Sequence, residues 1–211
     1  MKTLARGCMW WPGMDSDIKN IVQHCEIRQK VQAKSSSAPP HGWNWPAQHL
    51  NRSHLDFAGP ILGHGYLVVV DACTKWMDVS MMSSITADST IDKLYIIFAT
   101  LGLSHTLVSD NYPTFTSEKF KKFCKENGIK HNASAPYHPQ TNGLAQCAIQ
   151  TFKCSTMIIQ GSSIQNCIQK FLFRYCITPH PVTNISPFEF LFNRKPFCEL
   201  DLMIPDVSIF T

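Results

Sequence analysis

Charged residues make up only 16% of this sequence, no two of its cysteines are separated by two residues, and no apolar run approaches the roughly 20 residues that span a membrane. Each scarcity narrows the field. Without Cys-x-x-Cys pairs there is no local zinc or redox signature, and the nine cysteines form an odd, scattered set lying mostly in apolar segments. They read as reduced, buried thiols, which predicts a soluble protein of the cytoplasm or nucleus and no membrane association. No signal-peptide-like run opens the chain. The sparse charge does not signal disorder, because hydrophobic residues reach 44% and can fill a core. The formal charge of +4 and pI near 8.6 permit a nucleic-acid partner without requiring one.

The 211 residues suit one domain with a minor appendage. Residues 1–34 read as a short helical arm, in which Ile18, Ile21 and Val22 recur at helical spacing. Residues 35–45, rich in Ser, Pro and Gly, read as a linker. Residues 46–160 form the core unit, and 161–211 a helical extension of it. Within the core, β-prone runs at 53–57, 66–72 and 76–81 predict three antiparallel strands. A helix capped by Ser84 or Thr86 and stopped at Gly102 follows, with Ile91, Leu94, Tyr95 and Phe98 on one stripe. Residues 106–109 form a fourth strand ending at Asp110, and Ser117 starts a helix closed by Gly128. Residues 129–133 form a fifth strand. A last helix, from about 142 to 159, turns Leu144, Ala148, Ile149 and Phe152 inward and leaves Gln146, Gln150 and Lys153 on its other face. A strand meander followed by alternating helices and strands is a mixed α/β fold.

Asp56 lies in the first strand, Asp110 ends the fourth, and Gln146 stands on the last core helix, with 35 residues between the latter two. Phosphodiester transfer with two Mg²⁺ ions needs hard oxygen ligands converging from separate elements, and three carboxylates are the usual minimum. Alone, Asp56 reads equally as a locally hydrogen-bonded strand residue, and Asp110 as a turn former before Asn111.

Four ordered passages decide between these readings: His54-Leu55-Asp56-Phe57-Ala58-Gly59-Pro60; Leu67 through Ala72 with Lys75-Trp76; Val108-Ser109-Asp110-Asn111; and Ser134 through Ala145, which includes His138-Pro139-Gln140. A fifth is Thr178-Pro179-His180 with Ser186-Pro187. Together they resemble the core of gypsy-type retrotransposon integrases. The resemblance implies a ribonuclease-H-like mixed five-stranded sheet flanked by helices, DNA as partner and multimeric assembly. It also implies Mg²⁺ or Mn²⁺ at Asp56 and Asp110.

In that family the position of Gln146 holds the third catalytic glutamate. The substitution removes a full charge from a site built for two divalent ions; at an effective dielectric of about 20, a charge pair at 4 Å is worth roughly 4 kcal/mol before desolvation. Glu118 and Glu126 sit on a different element and are not expected to substitute. The family usually has Gly and Gln where this sequence has Tyr112 and Thr114. Residues 1–34 resemble the end of the family's zinc module through Trp10-Trp11-Pro12-Gly13 and Cys25. Arg28 replaces the second cysteine and the histidine pair would fall before Met1, so zinc is not expected, and His24 reads as a surface residue.

Tyr137 and His138, in the loop before the last core helix, and Gln150 and Lys153 on it are candidate nucleic-acid contacts, with an ordinary loop and a solvated helix face as the plain alternatives. Trp43, Trp45 and Trp76 read as packing residues. Three readings of function stand: a nucleic-acid-binding integrase derivative with lost strand transfer, a domesticated protein-interaction scaffold, and the product of a decaying element.

Overall fold

A computed structural model describes residues 5–6, 8–25, 44–61, 63–133, 142–158 and 163–203. Its centre is a five-stranded sheet of β1 (Arg52–Ile61), β2 (His64–Asp71), β3 (Met77–Met82), β4 (Thr106–Ser109) and β5 (Lys130–Ala133) in the order β3-β2-β1-β4-β5. β1, β2 and β3 pair antiparallel, while β4 joins β1, and β5 joins β4, in parallel. This is the mixed sheet expected from the sequence. β1 is longer than the expected residues 53–57: an irregular register between Ala58 and Ile61 carries the strand through Pro60, which has no N–H to donate, to a pairing with His64.

Both faces of the sheet are covered, so the central strands are apolar on alternate residues in both directions. Leu55, Leu67, Val69 and Leu107 point to one face. There they meet Leu94, Ile97 and Phe98 of α2 (Ala87–Leu101) and Phe120 and Phe123 of α4 (Glu118–Glu126). Ala58, Tyr66, Val68 and Val70 point to the other face, against Ala148, Ile149 and Phe152 of α5 (Gly143–Ile158) and Ile168 and Phe171 of α6 (Ile164–Ile177). Outside these layers lie α1 (Met14–Gln23), the single turn α3 (Pro113–Thr116) and α7 (Pro187–Phe192).

The helix boundaries follow their caps. Thr86, rather than Ser84, accepts the Ser89 N–H at 3.3 Å to start α2, and Gly102 ends it at φ 92°. Ser117 accepts the Phe120 N–H at 3.3 Å to start α4. The fifth strand begins at Lys130 rather than 129, because the Ile129 N–H still closes the end of α4 on the Cys124 carbonyl. α5 has an inward set shifted from expectation: Ala145 is fully buried and Leu144 only half-buried. A small residue lets the helix approach the sheet where the larger one cannot.

Trp76 does pack, against Phe188 and Phe192 of α7, whereas Trp45 is half exposed beneath the Lys75 ammonium, 4.2 Å from its ring. Trp43 lies outside the described residues. Five cysteines are buried as expected (Cys73, Cys124, Cys167, Cys176, Cys198), but Cys8, Cys25 and Cys154 are half-buried and Cys147 is exposed on the outer side of α5. Among the described residues no helix is long and apolar enough to cross a membrane.

Candidate metal and nucleic-acid site

The parallel register of β1 and β4 pairs His54 with Val108. Two residues further along stand Asp56 in β1 and, just past the end of β4, Asp110, close enough that the Asp110 charge acts on Asp56. Asp56 is on the face covered by α5, since His54 and Ala58, its even-numbered neighbours, meet α5. Two distant aspartates are thereby brought together by sheet register.

Their electrostatics agree with this placement. Burial, and then the Asp110 carboxylate, push the Asp56 carboxyl up to about 6, against a smaller downward pull from the Phe57 N–H and the Lys153 ammonium. Asp56 Oδ1 accepts the Phe57 N–H at 2.8 Å, and Asp110 Oδ1 accepts the Tyr112 N–H at 3.1 Å. Each carboxylate is therefore held by the backbone of its own segment and keeps an oxygen for another partner. A half-buried pair of repelling carboxylates is a donor set of hard oxygens that fits a Mg²⁺-like cation.

α5 is fixed over this pair by a residue the sequence reading passed over. Asn142, just before the helix and 1% exposed, donates from Nδ2 to the Leu55 carbonyl at 2.8 Å, so its Oδ1 faces His54 Nδ1, 3.1 Å away, which must carry the proton. Burial lowers the His54 imidazole to about 4, keeping it neutral and in this role. The available signal was positional: His54 stands two before Asp56, and Asn142 four before Gln146.

The remaining candidates are distributed unevenly. Gln146 and Gln150 are exposed on α5, while Lys153 is half-buried and near enough to act on Asp56. Among the described residues no hydrogen bond joins Gln146 to either aspartate, and no three His, Cys, Asp or Glu side chains form a metal cluster. Glu118 and Glu126 pair with Lys121 and Lys122 on α4, across the sheet from α5, and so cannot complete the site. Tyr137 and His138 lie outside the described residues.

Residues 54–139 match the integrase core domain. The chain carries an integrase core domain. Residues 1–34 match the integrase zinc binding domain. The uncharacterised Caenorhabditis elegans protein K02A2.6 is 41% identical over 208 residues, covering 97% of this chain and 16% of that protein. The Pro-Pol polyprotein of feline foamy virus is 32% identical over 139 residues, covering 64% of this chain and 12% of the polyprotein. The chain thus spans less than a fifth of either relative.

Among solved structures, the integrase core resembles the simian T-cell lymphotropic virus intasome in complex with PP2A regulatory subunit B56 gamma, with a TM-score of 0.68 at 16% identity, over 91% of this chain and 70% of that one. The catalytic core domain of BIV integrase gives 0.59 at 19% identity, over 68% and 94%. The ribonuclease-H-like fold read from the sequence is the fold observed.

In the segment matching the zinc binding domain, His24 is exposed, with its ring Nδ1 against the Asn20 carbonyl at 2.8 Å, and Cys25 is half-buried. His24 and Cys25 are donor types that zinc accepts, and Arg28 is not.

Proposed function

We propose that the chain is a nucleic-acid-binding integrase core of gypsy-type retrotransposon lineage whose strand-transfer activity is lost. The observation that carries this reading is the adjacent pair Asp56 and Asp110 with no third carboxylate grouped with them among the described residues, residue 146 being an exposed Gln. Asp56 and Asp110 would hold one Mg²⁺ or Mn²⁺ ion. When bound, that ion supplies charge neutralisation at a phosphate oxygen.

The chain's own residues do the rest. Asn142 and His54 hold α5 over the aspartates, the Lys153 ammonium offers positive charge beside Asp56, and Gln150 adds an exposed amide on the same helix. Tyr137 and His138, in the sequence just before α5, are further candidate contacts to phosphate or base. Without a carboxylate at 146 the second ion lacks its ligand, and the attacking and leaving oxygens are not both stabilised.

The nucleus or cytoplasm is the proposed location, where thiols remain reduced. Homo-oligomerisation on DNA belongs to the same reading, supported by similarity to a chain described as part of an intasome.

The test is Mg²⁺- and Mn²⁺-dependent nicking and strand transfer by the wild type, Gln146→Glu and Asp110→Asn. The wild type should be inactive and Gln146→Glu should regain turnover; robust wild-type activity that Asp110→Asn abolishes refutes the loss. A second reading, a domesticated protein-interaction scaffold, draws on exposed Phe173, Phe190, Phe192 and Phe197 in the helical extension. DNA affinity that falls steeply with salt favours the first reading over the second.

A further inference from the structure

Tyr112 follows Asp110 by two residues, where the family resemblance leads one to expect glycine, and the residue is 40% exposed. A tyrosine in such a place is usually there to pack. This one is both packed and partly exposed. Its ring meets Phe57 edge-on, with centroids 5.2 Å apart and planes at 61°. Phe57 lies in turn flat on the fully buried Phe115, at 4.7 Å and 11°. The exposed ring is thus rooted in the core through two further aromatics, and Pro113, the first residue of α3, fixes the backbone that follows it.

The same two residues hold the carboxylates. The Tyr112 N–H donates to Asp110 Oδ1 at 3.1 Å, and the Phe57 N–H donates to Asp56 Oδ1 at 2.8 Å. The Tyr112 backbone is thereby tied to Asp110, while its ring stands with Phe57 on the α2/α4 side of the sheet, at the strand end. An aromatic surface at this strand end cannot attract phosphate, but it can take the uncharged face of a base, and an aromatic platform accepts any base because every base has a π-face.

We propose that Tyr112 is a stacking platform for an unpaired nucleobase, seating a frayed or single-stranded nucleotide at the strand end just past Asp110. A base within a duplex is stacked on both sides and does not offer its face, so the platform distinguishes splayed ends from continuous duplex. The contact involves neither the metal nor a phosphate, and its contribution is independent of divalent ions and nearly independent of salt. The proposal rests on the nucleic-acid-binding reading above.

The experiment is fluorescence anisotropy in EDTA, over a series of salt concentrations, with two labelled DNA probes: a blunt duplex and the same duplex bearing a short single-stranded overhang. Wild type, Tyr112→Phe and Tyr112→Ala are compared, with thermal melts as the folding control. Tyr112→Ala should weaken binding of the overhang probe by about 5- to 150-fold, by the same factor at every salt concentration, and change blunt-duplex binding by less than about twofold. Tyr112→Phe should bind as the wild type does. An abasic overhang should remove the difference between wild type and Tyr112→Ala. Equal losses on both probes, or no loss on the overhang, overturn the stacking platform while nucleic-acid binding stands. If folded wild type binds neither probe, the nucleic-acid reading itself fails and the platform fails with it.

Discussion

Replacing Asp56 with asparagine should make the metal-free protein more stable at neutral pH, although it removes a group central to the candidate site. The unfolded carboxyl ionises near 3.8, while the folded one, desolvated and facing Asp110, ionises near 6. Between those values the folded state binds more protons than the unfolded state, so stability falls as pH rises through the window, and the whole penalty is present above 6. About two pK units at 1.36 kcal/mol each set a ceiling near 3 kcal/mol. Asp56 is only half-buried, and solvent screening reduces this to about 1 to 2 kcal/mol.

Asparagine keeps the shape of the side chain and can still accept the Phe57 N–H, so the substitution removes charge and little else. At roughly 2 to 4 °C per kcal/mol for a chain of this size, Tm should rise by about 2 to 8 °C at pH 7.5 in EDTA. The gain should shrink at pH 4.5, where the folded wild type is already protonated. Adding Mg²⁺ should stabilise the wild type and leave Asp56→Asn unmoved. Differential scanning calorimetry of the two proteins at both pH values is the assay. An Asp56→Asn protein that melts at or below the wild type at pH 7.5, or that keeps an undiminished advantage at pH 4.5, would refute the view that Asp56 is a strained cation ligand.

Two further expectations concern the tie between α5 and the sheet. Asn142→Ala leaves the Leu55 carbonyl and the His54 Nδ1–H without their buried partner and should cost about 1 to 3 kcal/mol in urea unfolding; a change below about 0.5 kcal/mol would remove Asn142 from that role. His54, lowered from 6.5 to about 4 in the folded state, binds fewer protons there than when unfolded. Its contribution to stability is therefore intact above 6.5 and lost as pH falls toward 4, by up to about 3 kcal/mol. His54→Gln should flatten that decline in an acid titration of unfolding free energy; an unchanged slope would place the acid sensitivity elsewhere.

The elements were legible from local signals. Thr86 and Ser117 announce helix starts because a hydroxyl at an N-cap acts on a backbone N–H three residues away, a relation contained within a few positions. The unbroken burial of β2 from Tyr66 to Asp71 is equally local, carried by one apolar run. What escaped was set by distant parts of the chain. That Asp56 and Asp110 come together depends on the His54 and Val108 register, which neither strand specifies alone. The role of Asn142 depends on a carbonyl 87 positions earlier. The extension of β1 through Pro60 depends on how β2 meets it. Motif resemblance pointed to a candidate site where local pattern could not, since Asp56 read by itself is an ordinary strand aspartate.

The exposure of Gln146 bears on how such a protein persists. Residue 146 belongs to neither apolar layer, so exchanging a carboxylate for an amide there leaves packing, and with it cellular folding quality control, untouched. Selection for a folded chain is blind to this position; only selection for chemistry registers it. Gln and Glu codons differ by a single base, so on the proposed reading a lineage could leave and regain a catalytic residue here without passing through a misfolded intermediate. A change at buried Ala145 or Phe152 would instead take the scaffold with it.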